Sequence, residues 1–246
     1  MANITPSTVW LFDLDNTLHD ASHAVFPAIV ARMNTYLGRV LGDGVTPASR
    51  ETIEATRLAY WRRYGATLLG MIRHHDVKAA HFLHETHALD NLGAMLRAER
   101  GLARLLRRLP GRKILLTNAP AGYSRQVLRH LGLQRHFSAH VSIEDMHVHR
   151  QLRPKPSKLM LLRLLRRQRI APHRAILVED TLANLRSARQ LGVRTVWVTQ
   201  YLRGPDAAAR ALMPDLLNRP VDNRPGYVDV KVKSVRQLPG HLHRLR

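Results

Sequence analysis

Four short aliphatic runs, most of them separated by helical patterns, restrict this chain to an architecture built on a parallel sheet. Val9 to Asp13, Lys113 to Thr117, Ala175 to Glu179 and Arg194 to Val198 are aliphatic or β-branched and too short to be helices. Leucines at helical spacing fill Leu102 to Leu109 before the second run and Lys158 to Gln168 before the third. Leu182 to Leu191 joins the third run to the fourth, with Gly192 as the helix stop. Strands alternating with helices in this way make a parallel sheet with helices on both faces, the Rossmann-like, doubly wound α/β class. A fifth strand is expected over Ser138 to Ile143 and a late edge strand over Tyr227 to Val232.

The stretch between the first and second runs is far longer than an ordinary crossover and must hold structure of its own. Val25 to Leu41 and Arg50 to Tyr64 read as helices interrupted by Pro47-Ala48-Ser49, and Leu68 to His74 and Lys78 to His87 read as two more. A helical domain inserted after the first strand follows, giving residues 1–18 and 97–246 to an α/β core and residues 19–96 to the insertion. Arg203 to Arg224 reads as a surface connection with one short helix.

Composition narrows the function classes. With no cysteine, disulfides, thiolate nucleophiles and cysteine metal sites are all excluded, which suits a cytoplasmic protein. No basic lead with an apolar segment and cleavage site opens the chain, and no apolar run reaches membrane-spanning length, so a soluble protein without a membrane partner is expected. A formal charge of +21 raises the question of nucleic acid. The basic residues, however, interleave with leucines at helical spacing, as in Arg163-Leu164-Leu165-Arg166-Arg167, which solvated helix faces explain. Aromatic residues are 5% of the chain, too few for an extensive base-stacking platform, and no RNA-binding signature is present. No pattern specifies an oligomeric state.

In open parallel sheets ligands gather at the carboxyl ends of the strands. The first run ends in Asp13 and Asp15, the second in Thr117-Asn118 and the third in Glu179-Asp180-Thr181. The chain has only 18 acidic residues, so four at two strand ends argue for a shared task. Asp13 and Asp15 point the same way from a strand end and repel unless a cation or donor lies between them. Taken singly, Thr117 reads as an N-cap or turn residue, and Glu179-Asp180-Thr181 reads equally as an N-cap or a metal site. His81, His84 and His87 are three residues apart, a spacing that drifts around a helix and fits a solvated face better than a metal site.

Together these residues resemble the haloacid dehalogenase-like phosphatase superfamily. Asp13-Leu14-Asp15-Asn16-Thr17 is similar to its first motif, Thr117 to its second, Lys155 in Arg153-Pro154-Lys155-Pro156 to its third and Glu179-Asp180 to its fourth. The resemblance implies a phosphate-ester hydrolase in which Asp13 attacks phosphorus and Asp15 exchanges protons with the leaving oxygen and with water. It implies Mg2+ held by Asp13, the backbone carbonyl of Asp15 and Asp180, with Glu179 joining directly or through water. Thr117, the amides around Asn118, and Lys155 would hold phosphoryl charge. The second aspartate separates the chain from the dehalogenases of the superfamily, which lack that acid/base group.

Several stretches are similar to the pyrimidine 5'-nucleotidase group: 13–18, Tyr64-Gly65-Ala66-Thr67-Leu68, Leu109-Pro110-Gly111-Arg112-Lys113 and Glu179 to Leu185. His19, where an aromatic is more usual, and Ala66, where a hydroxyl is more usual, depart from that pattern. The implied substrate is a nucleoside monophosphate, UMP or CMP, with Tyr64, Thr67 and His74 of the inserted cap as contacts. A broader small-metabolite phosphatase, acting on phosphoglycolate or a sugar phosphate, is the alternative. A catalytically silent basic nucleic-acid-binding protein is a more distant one.

Overall fold

A computed structural model describes residues 8–202 and 223–245. The strands are β1 (Val9–Phe12), β2 (Arg112–Leu116), β3 (Ala139–Val141), β4 (His147–Val148), β5 (Gln151–Leu152), β6 (Ala175–Glu179), β7 (Arg194–Val198) and β8 (Val230–Val232). The helices are α1 (Val25–Leu41), α2 (Arg50–Tyr64), α3 (Thr67–His74), α4 (Ala79–His87), α5 (Leu92–Met95), α6 (Leu102–Arg108), α7 (Ala121–His130), α8 (Lys158–Arg167) and α9 (Leu182–Arg189). Six strands form one parallel sheet in the order β3-β2-β1-β6-β7-β8, the doubly wound architecture expected, and β4 and β5 form a separate antiparallel pair.

The sheet's central strands are apolar on both sides because helices cover both. Val9 and Leu11 share a core with Ile114, Leu116, Ala175 and Leu177 from the neighbouring strands, and with Leu161, Leu164 and Leu165 of α8 and Leu185 and Ala188 of α9. Trp10, Phe12, Leu115, Ile176 and Val178 alternate with these and are equally buried. The Trp10 indole, fully enclosed, donates to the carbonyl of Pro110 at 2.8 Å, so its polar atom is satisfied. Gly111 makes the approach to β2 possible. At φ +88° a Cβ there would lie 2.3 Å from the Thr8 carbonyl, which accepts from Arg112 N–H.

The chain moves outward from β1 through β2 to β3, then returns to place β6 on the other side of β1 and moves outward again. The order of connection therefore reverses between β1 and β6, and their carboxyl ends flank the switch point at which ligands sit in such sheets.

Residues 22–95 form a second, all-helical unit inserted between β1 and β2; residues 8–21, 96–202 and 223–245 belong to the sheet-bearing unit. In the helical unit α1 packs against α2 and α4, and α2 against α3. Ser49 caps α2 by accepting from Thr52 N–H, and Gly65 ends it in the left-handed region. Gly70 lets α3 approach α2, since a Cβ there would meet the Tyr60 ring at 2.1 Å.

Helix α7, the β4–β5 pair, α5 and the 3-10 stretch Val235–Leu245 are additions to the expected elements. Of the expected connection Arg203 to Arg224, residues 203–222 lie outside the described residues. Among the described residues no helix is long and apolar enough to cross a membrane.

Candidate active site

At the switch point three acids converge. Asp13 directly follows β1, and its N–H extends the ladder by donating to Val178 O at 3.0 Å. Glu179 is the last residue of β6 and Asp180 the next. The Trp197 indole donates to the Asp180 carbonyl at 2.9 Å, fixing the turn out of the strand. All three acids are buried, and one carboxylate oxygen from each lies within 4.8 Å of the others.

Lys155 answers part of this charge. Its Nζ donates to Asp13 Oδ1 at 2.6 Å and to Glu179 Oε2 at 2.8 Å, and the side chain is buried with its partners. Asn118, just past the tip of β2, clasps the lysine's backbone: its amide donates to Lys155 O at 3.0 Å and its carbonyl accepts from Lys155 N–H at 2.9 Å. The ammonium is thus delivered by a loop anchored to the neighbouring strand end.

One ammonium does not neutralise three carboxylates. Burial, then the Glu179 charge, push the Asp13 carboxyl up to about 7 despite the opposing pull of Lys155. Burial, then Glu179 and Asp13, hold Asp180 well above the usual carboxylate range. Burial alone would lower Lys155, but the Asp13 and Glu179 carboxylates outweigh it and hold the ammonium above its ordinary value. An all-oxygen donor set short of positive charge fits a hard divalent cation. Both Glu179 oxygens already accept protein donors, Oε2 from Lys155 and Oε1 from Thr181 N–H at 3.2 Å. Asp180 accepts from the Thr181 hydroxyl at 3.1 Å and has no ion pair among the described residues, which makes it the better placed of the two for a cation.

Asp15 stands apart from that cluster. The backbone turns around Asp15: Leu18 N–H donates to Leu14 O at 2.8 Å, and Asn16 takes φ +57°. The Thr17 hydroxyl donates to Asp13 Oδ2 at 3.2 Å. Asp15 Oδ1 accepts from the Tyr123 hydroxyl at 2.6 Å and lies 2.9 Å from His19 Nε2. Burial, then the Asp15 charge, hold the Tyr123 phenol well above its usual range, so it stays a donor.

Of the other residues singled out, Thr117 is buried at the end of β2, its hydroxyl accepting from Ala119 N–H at 3.0 Å. Tyr64, Thr67 and His74 lie in the helical unit. Tyr64 Oη and His74 Nε2 are 2.6 Å apart, and the guanidinium groups of Arg63 and Arg73 lie 5.4 and 5.9 Å from the Tyr64 ring centre. The Thr67 hydroxyl is buried and donates to Arg57 O. The histidines of α4 assemble no cluster: His81 and His84 are exposed, and the only group of three ligating side chains among the described residues is Asp13, Glu179 and Asp180. Tyr123 and the Asn118 clasp are additions that the sequence alone did not suggest. For Tyr123, an amphipathic spacing with Val127 and Leu128 was the available signal.

A doubly wound sheet that gathers three buried carboxylates and a lysine at its switch point defines an α/β protein with an enzyme-like, cation-ready site. The chain belongs to the haloacid dehalogenase-like hydrolase family, whose pattern it matches over residues 8–192. Its structure is similar to that of a HAD phosphatase from Thermococcus onnurineus, at 18% identity with 96% of this chain and 97% of that one covered and a TM-score of 0.60. It is also similar to the L-2-haloacid dehalogenase of Xanthobacter autotrophicus with chloropropionic acid covalently bound (17% identity, 96% and 98% covered, TM-score 0.55). A Lactobacillus plantarum protein assigned as a phosphoglycolate phosphatase matches at 17% identity, 96% and 99% covered and a TM-score of 0.55.

Proposed function

We propose that the protein is a Mg2+-dependent phosphomonoester hydrolase that works through an aspartyl-phosphate on Asp13, with pyrimidine nucleoside 5'-monophosphates, UMP and CMP, as substrates. The observation that carries the reaction class is the separation of the two aspartates. Asp13 lies in the buried cluster against the Lys155 ammonium, whereas Asp15, two residues on, is held outside it by other donors. A dehalogenase needs only the first of these acids; transfer from a phosphate ester needs both.

Asp13 forms a bond to phosphorus as the ester P–O bond breaks, and Asp15 gives its proton to the departing oxygen. Water then bonds to phosphorus, Asp15 takes a proton from it, and the P–O bond to Asp13 breaks to release phosphate and restore the carboxylate. Lys155 offsets charge on Asp13 and on the phosphoryl group, and Thr117 with the amides around Asn118 binds phosphoryl oxygens. Asp13, the carbonyl of Asp15 and Asp180 would hold Mg2+, with Glu179 through water given its two existing donors. When bound, the cation supplies the positive charge that a lone lysine leaves wanting.

The helical segment 19–96 is assigned the role of a substrate-selecting cap, with Tyr64 and His74 as contacts; Thr67, expected beside them, is buried with its hydroxyl on Arg57 O and is withdrawn from that set. The Arg63 and Arg73 guanidinium groups over the Tyr64 ring gather positive charge there, which suits an anionic substrate. Phosphate release across nucleoside monophosphates, sugar phosphates and phosphoglycolate, with and without Mg2+, tests the proposal. The expected result is Mg2+-dependent release with the highest kcat/KM for UMP and CMP. A strong preference for phosphoglycolate or a sugar phosphate would replace the nucleotidase with the broader phosphatase, the reading favoured by the likeness to the Lactobacillus plantarum protein. Salt-sensitive binding to DNA or RNA without any phosphate release would reject both.

A further inference from the structure

His19 is fully buried, yet it is a poor core residue. Its Nε2 faces Asp15 Oδ1 at 2.9 Å, while its Nδ1, also buried, has no hydrogen-bond partner among the described residues. A buried polar atom left unmatched costs about 1–3 kcal/mol, a cost that an apolar ring in the same space avoids. Packing therefore does not explain the imidazole, and its contact with Asp15 does. A carboxylate oxygen only accepts, so the contact makes Nε2 the donor and aims its N–H at Asp15. Tyr123, also buried, brings a second donor to the same oxygen at 2.6 Å from α7, 108 residues away.

We infer that His19 and Tyr123 are positioning residues that grip Oδ1 of Asp15 between two donors, so that the proton exchanged in the reaction is carried on Oδ2. A proton on Oδ1 would face two N–H and O–H groups that already point at it. On Oδ2 it leaves Oδ1 an acceptor whether Asp15 is charged or neutral, so the grip survives both halves of the cycle. In the first half the Oδ2 proton passes to the leaving oxygen as its bond to phosphorus breaks. In the second, water's proton passes to Oδ2 as the water oxygen bonds to phosphorus and the P–O bond to Asp13 breaks. This rests on the proposed acid/base role of Asp15 and adds what aims that carboxyl.

The test compares the intact protein with His19→Phe and Tyr123→Phe on two esters, UMP, whose alkoxide leaving group needs a proton, and p-nitrophenyl phosphate, whose leaving group needs little help. Loss of aim removes part of the roughly 10²–10⁴-fold that acid/base catalysis supplies. For UMP, kcat/KM is expected to fall about 10–100-fold in each variant. For the nitrophenyl ester, kcat/KM, which reports the first transfer, should stay within about 3-fold. Its kcat and KM should fall together, because the water step still needs Asp15. His19→Gln, which returns an N–H donor near Nε2, should restore most of the UMP activity. Equal losses of kcat/KM on both esters, or no loss on UMP, would overturn the inference. The nitrophenyl reaction doubles as the folding control, and if His19→Phe does not fold, Tyr123→Phe, which loses only a hydroxyl, decides. Absence of phosphate release from either ester by the unaltered protein would instead remove the phosphatase proposal, and the inference with it.

Discussion

Replacing Lys155 with Met tests the electrostatics of the cluster without reference to turnover. The ammonium lies 2.6 Å from Asp13 and 2.8 Å from Glu179, both buried. At an effective dielectric of about 20, each contact is worth about 6 kcal/mol of attraction. Against that stands the cost of taking the ammonium out of water, several kcal/mol, so the sum is not the loss to expect. Truncating one member of a buried ionic network leaves the others uncompensated, which costs about 3–5 kcal/mol. In a domain whose total stability is about 5–15 kcal/mol, the metal-free variant should be marginal at neutral pH.

The pH dependence gives the sharper reading. The Asp13 carboxyl sits at about 7 in the folded protein, against about 3.9 in the unfolded chain. The folded state therefore binds the proton more tightly, and stability falls as pH rises between those values. This amounts to about 4 kcal/mol from Asp13, complete below about pH 4 and gone above about pH 7. Lys155 pulls that carboxyl down, so without it the decline should continue beyond pH 7, where the parent protein's Asp13 contribution has levelled off. Urea unfolding in chelator, followed by the fluorescence of Trp10 and Trp197 with Trp61 changed to Phe in both proteins, measures this in the sheet-bearing unit. A loss under about 1 kcal/mol at pH 7.5 with an unchanged pH slope would refute the claim that the ammonium offsets the Asp13 and Glu179 charges.

Asp13→Asn should lower turnover at least about 10³-fold while far-UV circular dichroism is unchanged, since it removes the nucleophile and also one desolvated charge; near-normal turnover would exclude Asp13 from that role. Mg2+ added to chelator-treated protein should raise the free energy of urea unfolding by about 2.7 kcal/mol at a hundredfold excess over Kd, and Asp180→Asn should abolish that gain. An undiminished gain in the Asp180 variant would place the cation elsewhere.

The sheet was legible because strands buried on both faces must be apolar at every position, and VWLF, AILVE and the runs beside them are bounded runs of that kind. Helix α7 was not. Ala121 to His130 opens behind a proline without a side-chain cap and carries Gly122 in its first turn, so nothing marks where it begins, although Tyr123, Ser124, Val127 and Leu128 fall on one face. The site divides along the same line. Each acid could be placed at a strand end, since local pattern locates strand ends. No local pattern says which acids share an ammonium, and Lys155 reaches Asp13 across 142 residues only because β1 and β6 are neighbours and Asn118 ties the lysine's loop to the end of β2. Asn118 shows the limit most clearly, because from sequence it promises amides for phosphate, and in the fold its side chain holds the residue that meets the nucleophile. His19 marks a second limit. As a departure from an aromatic position it is a question about one residue, and only with Tyr123 delivered to the same oxygen does it become a statement about how a proton is held. What the sequence leaves dark is therefore the orientation of the chemical groups more than their identity, and orientation is set by helices and loops that only the fold brings together.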